Sequence, residues 1–247
     1  MNNCTHSCPS DENLHHISYE AGILEDPNTT PPIDMWKLTT SPEDAPNAPE
    51  TMSIEFKAGL PFKVTVDSRS YTDAVEIFDV LNAIARKHGV GRIDIVENRY
   101  IGVKSRGCYE SPGATILRAA HLDIEGLTLD RNVRALRDQF VTPALSRILY
   151  DGYFFSPERE FVTSAIPGSQ RTVNGTVRLK LYKGNVIVEG RFSDEVCLVL
   201  VQFTYACSLV SRVYTMSMNR LWMNLAGSNP PILLASSKYS LSVSRSK

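Results

Sequence analysis

Charge leaves this chain abruptly. Lys and Arg together number 26 and Asp and Glu 27, yet only seven of these charged residues lie beyond Ser193, and no acidic residue follows Glu195. Residues 196–211 (VCLVLVQFTYACSLVS) carry no charge at all. A membrane-spanning helix needs about 20 predominantly apolar residues. This run is shorter, and Gln202, Thr204, Ser208 and Ser211 dilute it. It also lacks the period of 3.6 or 2 that marks a packed soluble helix or strand. Neither a membrane span nor a designed soluble element is expected there, so the fold has to be sought in residues 1–193.

Those residues have the composition of a globular protein. The whole chain is 43% hydrophobic and 21% charged over 247 residues, enough for one domain or two small ones with a sizeable core. The net charge of −1 leaves no global field to attract nucleic acid or an anionic membrane. Five cysteines, an odd number without a regular framework, point to a reduced chain and a cytoplasmic location. Cys4, His6 and Cys8 have the look of half a metal site, but no second pair follows at zinc spacing. His15 and His16 read as solvated, and no metal site is expected. The N-terminus lacks the basic and apolar regions of a signal peptide.

Periodicity predicts the elements. Residues 52–57 and 61–66 read as two short strands joined by Ala58-Gly59-Leu60. Residues 72–88 form the clearest helix, with Val75, Phe78, Leu81 and Ile84 on its apolar face and Gly89 at the left-handed cap position. A strand is expected over 90–96, where Ile93 and Ile95 alternate with Arg92 and Asp94. Helices are expected from Pro112 towards Leu127, from an Asp130 cap to Phe140, and over 143–150 and 157–166. Residues 173–189 form a hairpin signal with its turn at Lys183-Gly184-Asn185. The six prolines between Asp26 and Glu50 mark a long irregular connection. Strands and helices do not alternate strictly. The expected class is therefore α+β, with a mixed or antiparallel sheet and packed helices.

No self-sufficient catalytic motif occurs: there is no phosphate-binding glycine loop, HExxH or GxSxG. Gly89-Val90-Gly91 reads as a helix stop feeding a strand. The densest polar stretch is residues 91–110 (GRIDIVENRYIGVKSRGCYE), which groups Asp94, Glu97, Asn98, Arg99, Lys104, Ser105, Arg106, Tyr109 and Glu110 around a strand and a turn. Strand-and-loop scaffolds of this kind carry ligand sites, and they also make salt-bridged surface loops.

Several long motifs decide between these. DENL at residues 11–14, HISYEAGILE at 16–25, HGVGRIDIVENR at 88–99, KSRGCYE at 104–110, AHLDIE at 120–125 and NGTVR at 174–178 resemble, in order, the argininosuccinate synthase family. The resemblance covers residues 10–193, is closest to fungal members, and leaves residues 1–9 and the tail 194–247 unmatched. It implies the family's C-terminal synthetase and multimerisation domain, and an ATP-dependent carbon–nitrogen ligase of arginine biosynthesis. In such an enzyme the ureido oxygen of citrulline is adenylated and the amino group of aspartate then displaces AMP. The resemblance further implies ATP with magnesium as a substrate, no tightly bound cofactor, and a homotetramer. Three positions match the family's citrulline-binding residues: Ser18 in HISYEAG, Glu97 in IVENR and Tyr109 in RGCYE. A carboxylate suits a ligand rich in N–H donors, and the two hydroxyls both donate and accept. Ser18 as a helix or turn cap, and Glu97 as a partner of Arg99 or Lys104, are the structural alternatives. No catalytic residue is assigned.

The departures matter too. The family places a further citrulline-binding serine where this chain has Pro9, beside Ser10. Nothing here resembles the family's nucleotide-binding domain with its phosphate loop, so the 247 residues alone are expected to be inactive. The tail carries a different signal. Read one frame away, the codon junctions from Gly227 permit the family's C-terminal FEPTDTTGFI and, from Ser242, RLKK. The tail is therefore expected to be an out-of-frame C-terminus that forms no packed element. The rival readings are a non-catalytic truncated subunit that associates with full-length copies, and an incomplete gene model with no stable product.

Overall fold

The structure, a computed structural model, describes residues 10–195. Cys4, His6, Cys8 and Pro9, the uncharged run 196–211 and the tail expected to be out of frame lie outside the described residues.

Among the described residues nine strands form two sheets, and every pairing among them is antiparallel. The larger sheet contains β3 (Glu50–Lys57), β4 (Leu60–Val66), β5 (Arg69–Tyr71), β8 (Gly175–Tyr182) and β9 (Asn185–Phe192), in the order β5-β4-β3-β8-β9. Its hairpins turn on residue pairs with positive φ: Ala58-Gly59, Asp67-Ser68 and Lys183-Gly184. That handedness matches the twist of the strands it joins. Alternation does the rest. Met52, Ile54 and Phe56 of β3 are buried with Val64 and Val66 of β4 and Val177, Leu179 and Leu181 of β8.

Two helices cover that face. In α1 (Ala74–Lys87) the buried residues are Ile77, Leu81, Ile84 and Ala85; in α2 (Pro112–Thr128) they include Ile116, Ala120 and Ile124. Asp73 caps α1 by accepting from the Val75 and Glu76 amides, which sets the start two residues later than the periodicity predicted. Gly89 follows its C-cap in the left-handed conformation, as expected.

The expected α+β class is what the chain adopts, with two helical boundaries drawn differently. α3 (Arg131–Leu136), capped by Asp130, does not stop near Phe140. It runs through a π turn (Arg137–Val141) into α4 (Thr142–Tyr150). Pro143 cannot donate to the carbonyl four residues back and crowds it, and the wider turn lies just before it. The single helix expected over 157–166 is two, α5 (Pro157–Thr163) and α6 (Ala165–Gln170). The Ser164 hydroxyl donates to the Phe161 carbonyl at 2.6 Å, and Pro167 has no N–H with which to continue the ladder. Among the described residues no helix is long and apolar enough to cross a membrane.

The smaller sheet has the order β1-β2-β7-β6, from β1 (Ser10–Glu12), β2 (Ile17–Glu20), β7 (Lys104–Glu110) and β6 (Arg92–Asn98). One face packs Ile17, Tyr19 and Cys108 against Leu24 and Met35, which lie on two short 3-10 turns, Gly22–Glu25 and Ile33–Met35. The proline-rich connection wraps this face and is held by one carboxylate. Fully buried Glu110 accepts from the Tyr19 hydroxyl at 2.6 Å, from the Lys37, Leu38 and Thr39 amides at 3.0, 3.1 and 2.8 Å, and from the Thr39 hydroxyl at 2.5 Å. Arg92 adds two bonds of 2.7 Å to the Thr39 hydroxyl and carbonyl, with its guanidinium 4.9 Å from the Trp36 ring centre. Arg106 reaches the carbonyls of Asp26 and Thr29 at 3.0 and 2.7 Å. Irregular backbone is thus ordered by side chains of a sheet rather than by its own ladder.

Candidate functional site

The opposite face of the small sheet carries the expected site residues. Ser18 on β2 stands in register with Tyr109 on β7, which stands in register with Ile93 on β6. Glu97 lies four residues further along β6 than Ile93. The period of 2 therefore puts Ser18, Tyr109 and Glu97 on one face. The Tyr109 hydroxyl donates to Glu97 Oε1 at 2.9 Å. Ser18 is buried within a strand, not at a helix or turn cap. Glu97 does pair with Arg99, Nη1 lying 3.4 Å from the same Oε1. Both contacts fall on one oxygen, and no partner among the described residues takes Oε2.

Tyr109 reaches Glu97 by lying along its own strand over Gly107. A β-carbon at residue 107 would sit 2.6 Å from the Tyr109 hydroxyl oxygen and 2.8 Å from two ring carbons. Burial, followed by the bond to the Glu97 carboxylate, pushes the Tyr109 phenol up to about 12. At neutral pH the hydroxyl stays protonated and donates. Gly107→Ala is expected to displace the phenol from Glu97. The clashing atoms are the far end of one side chain, so the stability cost should be about 1 kcal/mol. The check is the Tyr109 titration, which should fall towards about 10, the ordinary phenol value, with little change in melting temperature.

Two residues complete the row; the sequence reading gave Glu20 no role and Arg99 only that of a pairing partner for Glu97. Glu20 follows Ser18 on the same face, and Arg99 stands just past the end of β6. Arg99 Nη2 meets Glu20 Oε2 at 2.5 Å and the Ser105 hydroxyl at 3.2 Å. A cleft of about 440 Å³, lined by Glu20, Glu25, Arg99, Lys104 and Ser105 among others, opens beside this pair, and Ser18, Tyr109 and Glu97 do not line it. The spacing of Glu97 and Arg99 was visible in the sequence. Glu20 was not, because nothing local shows that β2 pairs with β7.

This arrangement offers a ligand one open carboxylate oxygen, two hydroxyls and a nearby cluster of both charge signs. It suits a polar molecule with several N–H donors. It holds no nucleophile activated by a neighbouring base, so its chemistry is recognition and orientation. A larger cavity lies elsewhere among the described residues, about 700 Å³ lined by Leu60, Leu122, Leu145, Leu149 and Ile166 with Glu125, Arg137 and Gln170. Its polar groups satisfy one another. Buried Glu125 accepts from both terminal nitrogens of Arg137 and, at 2.8 Å, from Gln170. These bonds hold its carboxyl below the usual range although burial pushes the other way.

A fold of two antiparallel sheets with this face defines the class. The family model described as "Arginosuccinate synthase C-terminal domain" matches residues 9–208, and the chain belongs to that family. Among curated relatives, the argininosuccinate synthase of Schizosaccharomyces pombe is 61% identical over 184 residues, covering 74% of this chain and 45% of that protein. That of Saccharomyces cerevisiae is 58% identical over 188 residues, with the same two coverages. That of Gallus gallus is 51% identical over 185 residues, covering 74% of this chain and 44% of that protein. The chain thus spans less than half the length of these relatives.

Proposed function

We propose that residues 10–193 form the citrulline-binding wall of an argininosuccinate synthase, a carbon–nitrogen ligase of arginine biosynthesis. The observation that carries this reading is the placement of Ser18, Tyr109 and Glu97 on one sheet face, with Tyr109 bonded to Glu97 and Glu97 Oε2 open to a donor. Citrulline presents an ammonium and ureido N–H groups that this carboxylate would accept. A urea carbon is a weak electrophile. Attack of the ureido oxygen on the α-phosphorus of magnesium-bound ATP releases diphosphate and leaves AMP on that oxygen. The aspartate amine then attacks the ureido carbon, AMP departs, and argininosuccinate forms. The substrates are citrulline, aspartate and ATP, with no tightly bound cofactor, nucleic acid or membrane partner. We place the protein in the cytoplasm as a homotetramer. Phe155 and Phe161, 90% and 80% exposed on the helical side, suit burial against further copies.

The nucleotide wall has no counterpart in residues 1–247, so these residues alone should not turn over. Purified chain with citrulline, aspartate, ATP and magnesium is expected to release no AMP above a control without citrulline. A constructive test places residues 10–193 in the fission yeast synthase in place of its matching segment. Citrulline-dependent AMP release supports the reading. A folded, tetrameric but inactive hybrid favours the alternative of a subunit that only associates with full-length copies.

A further inference from the structure

We infer that Arg99 is a positioning residue of this site, its guanidinium bridging Glu20 on β2 to Glu97 on β6 and fixing the carboxylate that Tyr109 meets. Its purpose rests on the citrulline reading, because what it orients is the proposed ligand group; its geometry does not. Nη2 holds Glu20 and Ser105 while Nη1 faces Glu97 Oε1 at 3.4 Å, so one planar fork touches side chains of three strands. The backbone of Arg99 is fixed as well. Its amide donates to the Val103 carbonyl at 2.8 Å, and its carbonyl accepts from the Gly102 amide at 2.8 Å. Glu20 and Glu97 are like charges on one face of a four-stranded sheet. With the guanidinium gone they repel, and Glu97, half-buried and tied otherwise only to Tyr109, is free to swing towards water. A lysine ammonium is a point charge without the fork, and cannot span the same three groups.

The charged and titratable groups around the Tyr109 phenol are Glu97, Glu20, Arg99 and His16, whose ring centre lies 6.4 Å away. Two roles for Arg99 predict opposite changes there. Its positive charge lowers the phenol's titration, so removing charge alone would leave Tyr109 harder to ionise. If Arg99 positions Glu97, its loss removes the bond that, after burial, holds the phenol up, and Tyr109 becomes easier to ionise.

Tetranitromethane attacks phenolate, and the reaction runs at pH 8 on the full 247-residue chain without ligand. Peptide mass spectrometry reads Tyr109 against Tyr153, which is 55% exposed. Arg99→Gln should speed nitration of Tyr109 about tenfold, the phenolate change for one unit of titration. Arg99→Lys should stay severalfold faster than the unchanged chain. An unchanged or slower rate in Arg99→Gln with native circular dichroism, or full restoration by Arg99→Lys, overturns the inference. Should Arg99→Gln fail to fold, Ser105→Ala carries the test, since it removes one contact of the fork without changing any charge near the phenol. A faster Tyr109 rate then supports bridging and an unchanged one contradicts it. No citrulline is present, so this outcome is separate from that of the hybrid enzyme.

Discussion

Replacing Glu110 by alanine is expected to lower the unfolding free energy by about 3–5 kcal/mol, the usual consequence of breaking a buried, fully bonded charge. The wild-type carboxylate is fully buried and satisfies five donors. Alanine would leave the amides of Lys37, Leu38 and Thr39 and two hydroxyls facing an apolar gap, and each unsatisfied group costs about 1–3 kcal/mol before relaxation. Arg92, bonded to Thr39 and pushed down by burial with the Glu110 charge opposing, would lose its compensating neighbour. Glu110→Gln keeps the shape but turns one acceptor into a donor aimed at donors, so its loss should be smaller though still about 2 kcal/mol. Urea denaturation followed by circular dichroism measures both. Limited proteolysis should cut the alanine variant first within residues 26–50, the connection that this carboxylate anchors. A loss below about 1 kcal/mol would mean that the connection is ordered by something other than Glu110.

The large sheet and its two helices were legible because their signals are local. Val177, Leu179 and Leu181 alternate within eight residues, α1 carries its apolar face within four turns, and Asp130 announces a helix by its own side chain. The small sheet was half legible. β6 was expected from its alternation, although Ile93 and Ile95 prove exposed rather than half-buried; β2 has four residues, ISYE, and partners β7 some 90 positions away. No local pattern encodes that pairing. For this reason the sequence linked Ser18 with Tyr109 only through resemblance to a family, their shared face needed the strand register, and Glu20 was missed. The π turn before Pro143 was also beyond periodicity, since five residues of wider helix differ little in sequence from the turns around them. Prolines correctly marked residues 26–50 as irregular, but what orders them is the buried carboxylate of a distant strand. Arg99 stood in the polar stretch from the start. Its reach to Glu20 needed the third strand in place.

Glu97→Gln in the hybrid synthase should weaken citrulline use by about 1.5–3 kcal/mol, the scale of one hydrogen bond to a charged group. Glutamine keeps an acceptor for Tyr109 but gives up the charge, and it presents an amide where Oε2 would meet an ammonium or ureido N–H. On this assignment Glu97 meets citrulline and not the nucleotide. Steady-state kinetics that vary citrulline and ATP separately therefore test the assignment of this face most directly. The prediction is a citrulline KM raised about tenfold or more, with the ATP KM within about threefold of the unchanged hybrid. An unchanged citrulline KM beside a strongly raised ATP KM would place Glu97 on the wrong ligand and contradict the account.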